Sequence, residues 1–232
     1  MWMYESVKIR MNLMVDHSKC PPKEIIRITK MTKEMIEDVS NVHMEAFKGS
    51  MNTRLGKNYI KKFLEWFVNL EKAVKLVAIV RIQESERIVG YLVGAPMNYG
   101  KNMNRDLFWV ASWSGCLRPW LLLNRQFRQT LMVRLTGFLQ RTEGQCENEE
   151  LPIPVMSLVG IGVLPNLQGQ SIAKKLIGAF EQNAREMNVR SLRLSVYPEN
   201  VIARHVYEKC GWVLSEGAAT PGKSILYYRI LV

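Results

Sequence analysis

Histidine is scarce in this chain: His17, His43 and His205 are the only three in 232 residues, and they keep no ligand spacing. The four cysteines, Cys20, Cys116, Cys146 and Cys210, stand far apart and follow no metal pattern. A zinc-type centre needs clustered imidazoles and thiolates, so no metal is expected. With no export signal in view, reduced thiols in the cytoplasm are expected rather than disulfides. Long apolar runs are missing too, and none approaches the ~20 residues of a membrane-spanning helix. The opening stretch, MWMYESVKIRMNLMVDHSKCPPKE, is charged throughout and lacks the apolar core of a secretory signal. Residues 1–23 read as an extension ahead of the domain. Acidic residues are few as well, 21 against 32 Lys and Arg, for a net charge of +11. That balance attracts anions: nucleic acid, anionic lipid or a phosphate-rich cofactor. No recognition motif with interleaved aromatics accompanies it, so nucleic acid is not an expected partner.

What is present is ordinary globular material. Apolar residues make up 47% and charged residues 23%, in a chain long enough for one larger domain with an insertion. EIIRIT, residues 24–29, reads as a strand. Thr32 is placed to cap a helix over residues 32–47, with Met35, Ile36, Val39, Val42 and Ala46 at helical spacing and Gly49 as its stop. Residues 55–69 read as a second helix with Tyr59, Phe63, Trp66 and Phe67 on one face. VKLVAIVRIQ and ERIVGYLVGAP follow as a hairpin turning at Glu84-Ser85. Residues 96–150 break the rhythm as an insertion: a loop over 97–106, a helix near 119–141, and an acidic loop. From 155 onward the order is strand 155–163, helix near 169–187, strand 191–197, helix 200–210, and strands at 212–216 and 224–232. Strands and helices sharing one apolar sheet place the chain in the α/β class.

The chemistry concentrates at LPNLQGQSIAKKLIGAFEQ, residues 164–182, where a strand hands over through a turn to a helix N-terminus. Such a terminus offers unpaired N–H groups and partial positive charge, so Gln168 to Ala173 can cradle a phosphate, with Lys174 and Lys175 adding charge. A plain strand–turn–helix connection has the same outline. Gly160 and Gly162 lie on one face of the preceding strand, where glycine signals a close backbone approach or a bulge. Asn200 and Tyr207, seven apart, share a face of the later helix. A tyrosine facing a phosphate cleft can donate a proton; an ordinary core tyrosine would sit at the same spacing.

These residues together resemble the GNAT family of N-acetyltransferases. Gln168 and Ala173 match the ends of that family's Gln/Arg-x-x-Gly-x-Gly/Ala cradle, and Asn200, Ala203, Tyr207, Gly211 and Trp212 match its later pattern. The resemblance implies a mixed, mostly antiparallel sheet flanked by helices, over residues 24–232. It also implies direct transfer of an acetyl group from acetyl-CoA, as cosubstrate, to a primary amine. The cofactor would be held by Ile161, Gly162 and Val163 on the strand, by Gln168, Gly169, Gln170, Ser171, Ile172, Ala173 and Lys174 at the turn, and by Asn200. Tyr207 would act on the departing thiolate. Ser171 stands where the family has its middle glycine; a positive φ there would weaken the cradle. The strand VMSLVGIGV has no acid to serve as base. His43, Glu45, Tyr197 and Glu199 are candidates, and none is assigned.

For the acceptor, the segment HMEAFKGSMNTRLGKNY resembles acetyltransferases of bacterial surface-sugar biosynthesis, which implies an amino sugar. A protein N-terminus, a small amine, or a degenerate fold that only binds acyl-CoA are the alternatives. From Leu107 to Thr142 there are five arginines and no acid. The helix over 119–141 is therefore a candidate for peripheral contact with an anionic membrane. Packing on the sheet, or a homodimer contact, is the plainer expectation for it.

Overall fold

The computed structural model describes residues 26–82, 85–100, 102–103, 105–107, 151–215 and 224–231. Its elements are β1 (Ile26–Lys30), α1 (Ile36–Ala46), α2 (Met51–Leu55), α3 (Lys57–Asn69), β2 (Val74–Ile82) and β3 (Ser85–Pro96). After the insertion come β4 (Val155–Val163), α4 (Ile172–Glu186), β5 (Ser191–Val196), α5 (Val201–Lys209), β6 (Val213–Leu214) and β7 (Ile225–Ile230). The extension and most of the insertion, including the helix expected over 119–141, lie outside the described residues.

One sheet runs β1-β2-β3-β4-β5-β7-β6. All neighbours are antiparallel except β4 and β5. β2 is apolar on both faces, as a central strand must be when helices cover it on both sides. Even-numbered positions of β3 face α4: a Cβ on Gly94 would fall 2.3 Å from Phe180 Cε2, and one on Gly90 would be 3.3 Å from Leu176 Cδ1. Odd-numbered positions face the other layer, where Tyr91 meets His43 of α1. α4 buries Ile172, Leu176, Ile177, Phe180 and Ala184, a stripe at helical spacing. α3 buries Tyr59, Ile60, Phe63, Leu64 and Phe67. Lys75, buried on β2, donates to Val68 O at 2.6 Å and Leu70 O at 3.1 Å and so satisfies carbonyls at the end of α3.

Several boundaries differ from the sequence reading. α1 starts at Ile36, with Met35 at its N-cap and no side-chain cap; Thr32 instead bonds the Glu34 carboxylate and holds it below its usual range. The helix ends at Ala46, three residues before Gly49. A short helix, α2, precedes α3 because Ser50 caps it, its Oγ accepting from the Thr53 N–H at 3.3 Å. The stretch expected as a loop over 97–106 is helical at 99, 100, 102, 103, 105 and 106. It is tied to α3 by Trp66 Nε1 donating to Asp106 Oδ2 at 3.0 Å. α4 begins at Ile172 rather than 169, because a 3-10 turn (Pro165–Leu167) and two left-handed residues intervene.

Candidate functional site

β4 is paired along its whole length on the β3 side, but only Val155, Met156 and Ser157 pair with β5. Beyond the pair Ser157–Arg193 the two strands part and leave a gap. Two local features produce it. The register with β3 shifts between Val93, opposite Gly160, and Gly94, opposite Leu158, so Val159 is an extra, bulged residue that bends the strand. The direction of the peptide groups then follows from the ladder. The Leu164 N–H donates to Val89 O at 2.9 Å, so Tyr91–Gly162, two residues along, is also a hydrogen-bonded pair. The intervening Gly90–Val163 and Leu92–Ile161 pairs are not. Ile161 and Val163 therefore turn their N–H and C=O groups away from β3, toward the gap. The Val163 carbonyl there accepts from Gln168 Nε2 at 3.4 Å.

Gly162 has its peptide groups engaged with Tyr91. Its missing side chain makes room for protein rather than ligand: a Cβ would lie 2.7 Å from Tyr91 Cε1 and 3.0 Å from Phe47 Cε2. Gly160 is looser, with Val93 Cγ2 at 3.6 Å.

The gap ends at the turn before α4. Gln168, Gly169, Gln170 and Ser171 are exposed. Gly169 has φ 82° and Ser171 has φ 63°. Serine thus occupies a left-handed conformation, the unfavourable alternative of the sequence reading, at a cost of roughly 1–2 kcal/mol. Ser171 is the N-cap of α4, and its hydroxyl makes no capping bond. Its carbonyl accepts from the Lys175 N–H at 3.0 Å. The N–H groups of Ile172, Ala173 and Lys174 come before that first helical bond and have no acceptor among the described residues. The lysines at 174 and 175 are exposed beside them. An exposed turn with free N–H groups, positive dipole and two ammonium groups fits a diphosphate.

α5 follows β5, the strand on the other side of the gap. Asn200 is its N-cap: Oδ1 accepts from the Ala203 N–H at 3.2 Å, and the amide NH₂ has no partner among the described residues. Two turns on, Tyr207 is 6% exposed, with Trp212 and Tyr227 ring centroids 6.1 and 6.2 Å away. Its hydroxyl has no partner among the described residues, yet is not among the sealed, unpaired polar atoms. The ring is packed while the oxygen keeps access to solvent. Burial, with the neighbouring Cys210 thiol, pushes its pKa up to about 12, so Tyr207 is a protonated donor at neutral pH. α4 and the α5 end are tied together by Glu181, which accepts from Trp212 Nε1 at 3.0 Å and pairs with Arg229 at 3.1 Å. Arg229 also donates to the Cys210 carbonyl.

The candidate bases are not brought together. Glu45 is exposed on α1, and Tyr197 and Glu199 are exposed between β5 and α5. His43 is 5% exposed, with Nδ1 2.6 Å from the Tyr91 hydroxyl and Nε2 sealed without a partner. Burial drops its pKa to about 4, so it is neutral. The Tyr91 partner has no signal in the sequence, because 48 positions separate the two residues. Among the described residues no cluster of metal-ligating side chains occurs.

Residues 132–212, about a third of the chain, match the acetyltransferase (GNAT) family model. No curated protein matches the sequence. Solved structures that share the fold include these three. The aminoglycoside N-acetyltransferase AAC(6')-Iy in complex with CoA is 16% identical, with 88% of this chain and 97% of that one covered and a TM-score of 0.55. The Drosophila melanogaster polyamine N-acetyltransferase, which forms N-acetylagmatine, is 15% identical over 89% and 100%, TM-score 0.55. Arabidopsis thaliana NAA60 with a bisubstrate analogue is 14% identical over 90% and 100%, TM-score 0.54. At such identities the likeness is one of fold, and the fold is that of the GNAT acetyltransferases.

Proposed function

From a chain with the GNAT acetyltransferase fold, we propose an acetyl-CoA-dependent N-acetyltransferase that acts on a primary amine. The observation that carries this reading is the gap between β4 and β5. Its edge holds peptide groups of Ile161 and Val163 that pair with neither neighbouring strand, and it runs into the free N–H groups at the start of α4. Those strand groups can pair with an amide-bearing arm as another strand would. Ile172, Ala173 and Lys174 would hold the diphosphate, and the Asn200 amide would donate to the arm. Acetyl-CoA, when bound, supplies the activated acyl group. An N–H on the gap edge of β4 would polarise a carbonyl placed there, and the Tyr207 hydroxyl would give its proton to a departing thiolate.

For the acceptor we favour an amino sugar of surface polysaccharide synthesis, on the resemblance of residues 43–59. A cytoplasmic location suits that role, and none of the described helices is long and apolar enough to cross a membrane. The helix expected over 119–141 would serve as the contact to an anionic membrane. Sedimentation with anionic vesicles that weakens with salt would support it, and sedimentation indifferent to lipid charge would end it. One observation favours a second reading, a non-catalytic acyl-CoA binder: β4 carries no acid, and the candidate bases are not brought together.

Thermal melting with acetyl-CoA, followed by a free-thiol assay over an amine panel, separates the readings. Ligand at about a hundred times its Kd adds roughly 2.7 kcal/mol. A rise in Tm with thiol release supports the enzyme. A rise with no thiol released from any amine supports the binder. No rise with millimolar acetyl-CoA defeats both.

A further inference from the structure

The sheet has two arginines on adjoining strands near the gap, and they are treated oppositely. Arg229 of β7 points to the α4 face and has a carboxylate, Glu181. Arg193 of β5 sits in the last pair before the strands part. It is opposite Tyr228 of β7, whose neighbour Arg229 faces α4, so Arg193 and Tyr228 project from the other face. Tyr99 confirms that direction. It packs at 6.2 Å from Phe67 of α3, on the α1 and α3 side, and the Arg193 charge opposes the rise that burial imposes on the Tyr99 hydroxyl. Arg193 is half-buried, and among the described residues no carboxylate pairs with it. β4, β5 and β7 contain no Asp or Glu at all. At the vertex of the gap, one row thus holds a half-buried guanidinium with a hydroxyl on either side: buried Ser157 on β4 and half-buried Tyr228 on β7.

A half-buried cation without a counter-charge is costly unless an anion supplies one. A guanidinium there would repel a polycation and take an oxyanion through paired N–H donors. We propose that Arg193 selects an acceptor that carries an anionic group, a carboxylate or phosphate, beside its amine, and that polyamines are excluded. This inference rests on the reading of the site as an N-acetyltransferase and narrows its substrate class.

The test uses matched amines that differ only in their anionic groups: glucosamine with glucosamine 6-phosphate, glutamate with its diamide, and spermidine as the polycation. Two readouts are taken with the whole chain: thiol release from acetyl-CoA, and the melting shift each amine produces with CoA present. The anionic member of at least one pair is expected to give the higher kcat/KM and the larger shift. Arg193→Gln should lose about 10- to 100-fold in kcat/KM on that member alone, as expected for a charge-assisted contact. Arg193→Lys should recover part of it, and the shift with acetyl-CoA alone should stay as in the unaltered protein. The phosphate and carboxylate pairs identify which oxyanion is taken. Preference for the neutral or polycationic amine overturns the proposal. So does an equal loss on both members of a pair in Arg193→Gln, or the absence of any amine-dependent shift. If acetyl-CoA itself produces no shift, the transferase reading fails instead, and that result is separate from the ranking of amines.

Discussion

The two halves of the sheet are built to different rules. On the β1–β4 side, helices lie on both faces, α1 and α3 on one and α4 on the other, and the strands are sealed between them. On the β5–β7 side, described helices cover only the face shared by α4 and α5. On the opposite face Leu226 is half-buried and Ile230 is 51% exposed. The closed half is held by close packing, down to glycines that admit a neighbouring ring. The open half is held by polar ties: Tyr227 donating to Glu208 at 2.6 Å, and Glu181 between Trp212 and Arg229. For the transferase proposed above, which would admit two substrates, this division concentrates stability on one side and leaves the other accessible. β4 belongs to both halves and changes character at Ser157.

That contrast can be broken from either side. The largest expected effect in the closed half comes from Phe180→Ala, which removes a fully buried ring lying over Gly94. Chemical denaturation should show a loss of about 3–5 kcal/mol; a loss below 1 kcal/mol would mean the layer is not close-packed. In the open half, Tyr207→Phe keeps the ring and removes only the hydroxyl. Turnover should fall about 10² to 10⁴-fold with little change in Tm, and unchanged turnover would leave Tyr207 as a packing residue. The buried His43 adds a pH dependence to the closed half. Its pKa is about 4 when folded, against ~6.5 in the unfolded chain. Between those values the unfolded state binds the extra proton. The stabilisation is therefore complete above pH ~6.5 and is lost as pH falls toward 4, by roughly 3 kcal/mol at most. His43→Gln should flatten the stability profile over that window relative to the unaltered protein, and parallel profiles would contradict it. The smallest effect is expected at the cradle. Ser171→Gly relieves the left-handed serine and should gain about 1 kcal/mol, with acetyl-CoA affinity kept or improved. A clear loss of affinity would show that the hydroxyl itself binds the cofactor.

What the sequence discloses follows the same division. β4 is legible to the residue, because VMSLVGIGV is an apolar run interrupted only by Ser157, with a proline on either side, Pro154 and Pro165. The Asn200–Tyr207 face is legible because local spacing on a helix determines it. The gap is not legible, since it depends on where pairing with a strand thirty-odd residues away stops. Nor is the conformation of Ser171, which tertiary context imposes against the preference of serine. Gly162 shows a correct signal with the wrong partner: a close approach does occur there, but by Tyr91 and Phe47. The helical residues near 99–107 were hidden by a polar, glycine-containing stretch that the contact of Trp66 with Asp106 stabilises.

Glu181 has a wider consequence. By joining the helix that starts at the cradle to the strand end that follows Tyr207, it makes both banks of the cleft one rigid piece. If the cradle takes a phosphate as proposed, the distance from there to the tyrosine hydroxyl becomes a gauge that Glu181 helps to hold. A carrier arm of another length would fall short of the hydroxyl or overrun it.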